Sequence, residues 1–219
     1  MVSFAMIALV IGLVIAAGTW HVKRERQRTA DLEAIAKALG FSFAKEEDAS
    51  SCEREAFQLF KQGRSRSVCN HMRGELGGRQ VEAFDYRYVL GTGRARRTKK
   101  QTVVMVRGQD LGLPSLQLCP ESIVHKLGSL FGYQDIDFPH HPEFSRRYLL
   151  RGPDEAAIRR CFSPALVDYF ERRPGVNVEA NSAALLCYSD NRRIDVAAVR
   201  TELLETLQLA RLFVGIPNG

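Results

Sequence analysis

The chain has 219 residues, of which 31 are Lys or Arg and 25 are Asp or Glu, so its formal net charge is +6. The positive charge is local, because residues 21–28 contribute +3 and residues 94–100 contribute +5, which leaves the rest of the chain net negative. A nucleic-acid binder typically spreads basic residues over one face with aromatic residues between them, so this pattern argues against a nucleic-acid partner.

The chain begins with an uncharged apolar stretch. Residues 2–20 contain no Asp, Glu, Lys, Arg or His. As a helix they would reach roughly 28 Å, close to the roughly 30 Å hydrocarbon core of a bilayer. Only three residues precede Phe4, so the basic segment that opens a signal peptide is missing. The sequence therefore predicts a transmembrane anchor over residues 1–22.

A basic segment follows this stretch at once and predicts the orientation of the anchor. An excess of Lys and Arg beside a span marks the cytoplasmic side of a membrane. We therefore expect a single-pass inner-membrane protein with its N-terminus outside and its C-terminal domain in the cytoplasm. Two alternatives stay open: cleavage after the small residues 16–18, which would give an exported protein, and a helix of a soluble core. The basic residues concerned are Lys23, Arg24, Arg26 and Arg28.

Cysteine usage favours a reducing compartment. The chain has five cysteines, an odd number, widely separated and with no C-x-x-C pair. This spacing argues against a disulfide framework and against structural zinc. We expect buried, reduced side chains at Cys52, Cys69, Cys119, Cys161 and Cys187.

Residues 23–56 are predicted to hold a basic collar, a short amphipathic helix and a polar linker. Leu32, Ile35, Ala36 and Leu39 have the spacing of one helical face, and Gly40 is placed to end the helix. The folded domain is expected over residues 57–219, which is long enough to bury one core.

Antiparallel strands are predicted from residue 65 onward. Two extended runs flank Gly77-Gly78, which indicates a hairpin with a tight turn. In the second run Phe84, Tyr86 and Tyr88 alternate onto one face, which we expect to be core. Loops too short for a crossover helix then indicate an antiparallel meander, followed by a helix over residues 121–131.

The second half of the chain adds further helices and another hairpin. One helix is predicted to begin at Pro153 or Asp154, and Ser163 followed by Pro164 is placed to begin a second. Residues 175–194 read as a hairpin, and Asp195 is placed to cap a long C-terminal helix. The predicted fold class is α+β: an N-terminal transmembrane helix, then a domain of antiparallel strands with several helices and a long C-terminal helix.

One acidic and histidine-rich patch has the residue types of a metal site. Imidazoles and carboxylates are common metal ligands, but adjacent histidines in a strand point to opposite sides, and the flanking prolines favour a rigid turn. A membrane-tethered metal-assisted hydrolase is therefore the alternative function. Its residues lie between Asp135 and Glu143, and its ligands would be Asp137, His140, His141 and Glu143.

The leading hypothesis is a non-catalytic binding module that contacts anionic lipid or a membrane protein partner. No catalytic motif and no cofactor-binding motif occurs, and no feature of the sequence predicts an oligomeric state. Basic residues near anionic lipid contribute about 1 kcal/mol each. The candidate contact residues are Lys23, Arg24, Arg26, Arg28, Arg94, Arg96, Arg97, Lys99 and Lys100.

Residues 141–171 read HPEFSRRYLLRGPDEAAIRRCFSPALVDYFE. This segment resembles poorly characterised bacterial single-pass membrane proteins of unknown function, in which a Glu-Phe turn leads into a strand, a helix and a Ser-Pro-Ala-Leu helix start. The resemblance implies a bacterial inner-membrane protein with a cytosolic α+β domain. It brings no catalytic residue to this chain.

Overall fold

The computed structural model describes residues 4–48, 56–122 and 135–215. Eight strands of this part of the chain form one antiparallel sheet in the order β1-β2-β3-β4-β8-β7-β5-β6. The strands are β1 Ser42–Glu47, β2 Arg64–Leu76, β3 Arg79–Leu90, β4 Arg97–Arg107, β5 Leu116–Pro120, β6 Tyr148–Arg151, β7 Val176–Asn181 and β8 Ala184–Ser189.

Two of the helices begin at side-chain caps, whereas Asp195 makes no capping hydrogen bond and precedes a 3-10 turn instead of starting the C-terminal helix. Asp154 accepts a hydrogen bond from the amide of Ala157 at 2.9 Å, and Ser163 accepts one from the amide of Leu166 at 3.3 Å. The helices are α1 Phe4–Ala38, α2 Gln58–Lys61, α3 Pro142–Arg147, α4 Glu155–Cys161, α5 Pro164–Arg172 and α6 Val199–Val214, and 3-10 turns lie at Gly93–Ala95, Gln109–Leu111 and Val196–Ala198.

Apolar side chains cover both faces of the sheet. On one face, strand residues pack against the second half of α1 and against α3 to α6, and this core includes Leu32, Ala36, Val104, Leu118, Leu150, Phe170, Val178 and Leu207. On the other face, aromatic residues of β3 pack against the segment around α2, in a cluster that includes Phe57, Leu59, Phe60, Phe84, Tyr86, Tyr88 and Met105. The strands therefore bury side chains on both faces of the sheet.

The predicted hairpin and its aromatic face are confirmed. Gly77 and Gly78 have φ values of 58° and 76° at the turn between β2 and β3, a conformation that glycine adopts without a Cβ clash. The prediction of a simple meander is correct only for β2 to β4, because β8 and not β5 joins β4. β1, which pairs with β2, lies in the segment that was predicted as a helix and a linker. Most of the helix predicted over residues 121–131 lies outside the described residues.

The prediction of a transmembrane anchor is wrong. None of the helices in the described part of the chain combines the length and the apolar character that crossing a bilayer requires. The single-pass topology, the inner-membrane localisation with the N-terminus outside, and the integral membrane association all depended on that span and are corrected with it. The antiparallel sheet and its helices agree with the α+β part of the prediction.

The apolar stretch is not an independent element, which explains the wrong interpretation. It opens a 35-residue helix that continues without a break through the basic collar and the predicted amphipathic helix. The later turns of α1 bury Leu32 and Ala36 against the sheet. Composition alone does not reveal that a helix continues from one segment into the next, because charged residues such as Arg24 and Arg26 are good helix formers.

Candidate functional site

Arg28 joins α1 to the middle of the sheet. Its Nε donates to Oδ2 of Asp85 at 2.7 Å, and one terminal nitrogen donates to Oδ1 of Asp85 at 2.8 Å. The other terminal nitrogen donates to the carbonyl of Ile194 at 2.8 Å. Because the Arg28 side chain is only 11% exposed, it is a structural residue and does not face a partner.

Asp85 is the acceptor for several groups in addition to Arg28. Asn70 donates to it at 3.0 Å and the hydroxyl of Thr102 at 2.7 Å. Burial favours the neutral acid, but these hydrogen bonds and the charge of Arg28 outweigh burial and hold the pKa of Asp85 below its usual value. The carboxylate is therefore charged at neutral pH, and without these partners its burial would destabilise the fold.

A second ion pair lies one turn earlier on α1. Arg193 donates to both oxygens of Glu25, at 2.6 and 2.9 Å, and Lys100 at the start of β4 lies 3.8 Å from the same carboxylate. The hydrogen bond from Arg193 lowers the pKa of Glu25. This contact brings residues 21–28 beside residues 94–100, so the two basic segments of the sequence meet in the fold.

The ion pairs divide the basic residues into two groups. Lys99 lies 2.7 Å from Asp190 and is only 15% exposed, so Lys99, Lys100 and Arg28 all have acidic partners. The other six are exposed and form no ion pair with any residue of the described ranges, although Arg24 lies 5.5 Å from the ring centre of Trp20. We call these six the basic surface: Lys23, Arg24, Arg26, Arg94, Arg96 and Arg97.

A tight loop holds three residues of the basic surface. Gly91 has a φ of 69°, and a Cβ atom there would lie 2.5 Å from the carbonyl oxygen of Ala95. Only glycine tolerates this approach together with a positive φ. The resulting short turn presents Arg94, Arg96 and Arg97 at one end of the β3–β4 pair.

The first half of α1 adds exposed apolar side chains next to the basic surface. Large contiguous apolar patches on a protein surface mark interaction sites. Nine large side chains between residues 6 and 22 are 49% to 66% exposed: Met6, Leu9, Val10, Ile11, Leu13, Val14, Ile15, Trp20 and Val22. Cationic and apolar side chains therefore adjoin along one helix.

A polar cleft of about 450 Å³ opens beside the Glu25 ion pair. Both acidic and basic side chains line it. A polar segment of a partner protein could therefore form hydrogen bonds there without leaving a charged group buried and unpaired. The lining includes Glu25, Glu46, Ser67, Arg87, Lys100 and Arg193.

The fold does not gather the predicted metal ligands into a site. Glu143 pairs with Arg146 and Arg147 of its own helix, and Asp135 accepts a hydrogen bond from the amide of Leu150 at 3.0 Å. His140 is exposed in the turn before α3, beside His141, and Asp137 is also exposed. Within the described ranges, no group of three or more His, Cys, Asp or Glu side chains is arranged to hold a metal ion.

The described cysteines are packing residues. Cys69, Cys119, Cys161 and Cys187 are free thiols, whereas Cys52 lies outside the described residues. Burial raises the pKa of Cys119 and Cys161 to about 11 and that of Cys187 to about 12. A nucleophilic cysteine requires a lowered pKa, so these thiols are unsuited to that chemistry.

The sequence does not predict which acidic residues pair with the basic residues. Asp85 alternates with the aromatic residues of β3, so its side chain lies on the face opposite to the predicted aromatic core. Glu25 is the one acidic residue in the basic collar, and Arg193 belongs to a turn far away in the chain. A single carboxylate between Arg24 and Arg26 is the feature of the sequence that indicates a contact between this part of the helix and the rest of the protein.

No family model and no curated protein matches the chain. The fold is similar to that in the crystal structure of the mycobacterial trehalose monomycolate transport factor A, TtfA. That likeness has a TM-score of 0.60 at 14% sequence identity, and it covers 87% of this chain and 94% of TtfA. At this identity the likeness establishes a shared fold alone.

Proposed function

We propose that this protein is a non-catalytic docking module and that its basic surface binds an acidic protein surface. The observation that supports the proposal is the division of the cations: three are neutralised by buried or half-buried carboxylates, and six are left exposed without an ion pair among the described residues. Two of these ion pairs join α1 to the β3–β4 pair, and these are the elements that carry the exposed cations.

The residue types favour a protein partner. Five of the six cations are arginines, whose planar guanidinium groups bind carboxylates through two parallel hydrogen bonds. Arginine is also enriched at protein interfaces, where lysine is depleted. The exposed apolar side chains of α1 next to these arginines match a partner that carries apolar residues beside its acidic ones.

The similar structure suggests a setting for this role. TtfA is named a transport factor. If the shared fold reflects a shared kind of task, this chain is an accessory factor that binds another protein of a transport assembly. The proposal depends on the basic surface of this chain and takes only its setting from the neighbour.

The experiment uses the full chain and two designed helical peptides. One peptide has leucine on one face and glutamate on the other, and the second has lysine at every glutamate position. Fluorescence anisotropy should show saturable binding of the glutamate peptide only. The variant Arg94→Glu/Arg96→Glu/Arg97→Glu should bind it about tenfold more weakly, because three exposed pairs contribute up to about 1 kcal/mol each.

The matched control is Arg160→Glu/Arg172→Glu/Arg200→Glu, which makes the same change of net charge at exposed positions outside the basic surface. We expect its affinity for the glutamate peptide to stay close to that of the unmodified chain. An equal loss in both triple variants would mean that only net charge matters. Binding to phosphatidylglycerol vesicles in preference to the glutamate peptide would replace the protein partner with a lipid surface.

A further inference from the structure

Three polar side chains form a row across the second face of the sheet, far from the basic surface. Gln117 of β5 is directly opposite Glu179 of β7 on one side and Arg151 of β6 on the other. Side chains at directly opposite positions of antiparallel strands point to the same face. Most of this face is apolar, so a row of buried polar groups here requires an explanation.

Two hydrogen-bond donors in this row have no partner. Nε2 of Gln117 and Nε of Arg151 are buried and form no hydrogen bond with the described part of the protein. The Gln117 side chain belongs to a residue that is only 9% exposed. Leaving a buried donor unsatisfied costs about 1 to 3 kcal/mol, and more for a charged group. Two neighbouring unsatisfied donors indicate that a bound ligand supplies the missing hydrogen-bond acceptor.

The neighbouring carboxylate is already engaged. Glu179 accepts hydrogen bonds from the amides of Gln58 and Leu59 at 2.5 and 3.0 Å, and from the hydroxyl of Tyr188 at 3.3 Å. Its oxygens therefore fix the start of α2. They do not satisfy Gln117 or Arg151, although the three side chains share one row.

A cavity of about 100 Å³ lies at this row. Its apolar lining includes Phe57, Leu116 and Pro153, and its polar lining residues are Gln117, Arg151, Glu179, Gln58, Ser115 and Asn181. Apolar walls with a few convergent polar groups are typical of small-molecule sites. The small volume restricts a ligand to a few heavy atoms.

We propose that this cavity binds a short-chain monocarboxylate, whose carboxylate accepts hydrogen bonds from Nε2 of Gln117 and Nε of Arg151 while its alkyl chain packs against Phe57 and Leu116. A carboxylate supplies two acceptor oxygens and a charge opposite to that of Arg151, the cation among the described lining residues. A dianion such as phosphate would bring excess negative charge next to Glu179. The site lies apart from the basic surface and does not depend on the docking proposal.

The test is isothermal titration calorimetry of the full chain with butyrate, butyramide and inorganic phosphate. We expect saturable binding of butyrate, and affinities at least about tenfold weaker for butyramide, which lacks the charge, and for phosphate. Saturable binding of none of these would mean that water satisfies the donors and would overturn the proposal. Equal affinity for butyrate and butyramide would do the same.

Two variants connect binding to the donors. Gln117→Met and Arg151→Met replace each donor with an unbranched apolar side chain, and each should abolish butyrate binding. Gln117→Met should also raise the melting temperature of the ligand-free protein, because it removes an unsatisfied buried amide. That rise demonstrates that the variant folds.

Gln62→Met is the matched control. Gln62 is also buried with an unpartnered Nε2, but it does not line the cavity. It should leave butyrate binding unchanged. Retained binding in Gln117→Met, or equal loss in Gln62→Met, would contradict the assignment.

Discussion

Arg28 and Asp85 form a two-hydrogen-bond ion pair that joins the long N-terminal helix to the third strand of the sheet, at nitrogen to oxygen distances of 2.7 and 2.8 Å. The two residues are 57 positions apart in the chain. Asp85 also accepts hydrogen bonds from Asn70 and Thr102, so one carboxylate connects α1, β2, β3 and β4. The orientation of α1 depends on this pair, and with it the placement of Lys23, Arg24 and Arg26 of the basic surface.

Replacing Arg28 should destabilise the protein strongly. Arg28→Met leaves Asp85 buried without its cation, and breaking a buried pair in this way typically costs about 3 to 5 kcal/mol. The loss should be smaller at acidic pH, because the pKa of Asp85 rises once Arg28 is gone and the neutral acid tolerates burial. Urea unfolding at neutral and acidic pH measures both effects. The control Arg26→Met removes an exposed cation of the same helix, and a similar loss in both variants would show that the pair contributes little.

Glu82 should make stability depend on pH in the acidic range. Burial of this carboxyl raises its pKa, but hydrogen bonds and charge from His71 and Arg107 outweigh burial and lower the pKa to about 2. A carboxyl with a lowered pKa stabilises the fold above its ordinary pKa of 4.5, and this contribution is lost as the pH falls toward 2. The stability difference between the unmodified chain and Glu82→Gln should therefore shrink from pH 5 to pH 2. A constant difference in urea unfolding would refute this role.

Glu179 should have the opposite effect near neutral pH. Burial raises its pKa to about 7 from 4.5, although the amides of Gln58 and Leu59 and the hydroxyl of Tyr188 oppose the shift. Because the folded state binds the proton more tightly, the contribution of Glu179 to stability is greatest below pH 4.5 and declines as the pH rises to 7. Glu179→Gln should remove this decline, so the variant gains stability relative to the unmodified chain between pH 5 and pH 8. Parallel stability curves in urea unfolding across that range would contradict it.

Gly152 should tolerate no side chain. A Cβ atom there would lie 2.4 Å from the carbonyl oxygen of Ser115 and from Cδ1 of Ile158. The backbone oxygen cannot move without shifting β5, so Gly152→Ala should lower the melting temperature and weaken butyrate binding at the cavity that Gly152 lines. Gly18→Ala is the control, since nothing lies within 4 Å of its Cβ position and alanine favours a helix. Equal melting temperatures for the two variants would show that β5 can shift to accommodate the added methyl group without a loss of stability.

The features predicted correctly from the sequence are local ones. The turn at Gly77-Gly78, the aromatic face of β3 and the helix starts at Asp154 and Ser163 each depend on residues within a few positions of one another. Backbone conformation and capping chemistry determine such features, so a single sequence reveals them.

The features that were missed depend on contacts between distant residues. The partner of Arg28 is Asp85, and the partner of Glu25 is Arg193, 168 positions away. The joining of β4 to β8, and of β5 to both β6 and β7, likewise follows from packing of the whole sheet. Charge patterning identified residues 94–100 as a cluster, but only the fold shows that Lys99 and Lys100 are paired while Arg94, Arg96 and Arg97 are exposed.

The measurement that tests the docking role most directly is a charge swap. The unmodified chain and Arg94→Glu/Arg96→Glu/Arg97→Glu are each titrated with the glutamate peptide and the lysine peptide, and the four affinities are compared. If the basic surface is the docking site, the unmodified chain prefers the glutamate peptide and the triple variant prefers the lysine peptide. An unchanged preference for the glutamate peptide in the triple variant would contradict the docking role of this surface.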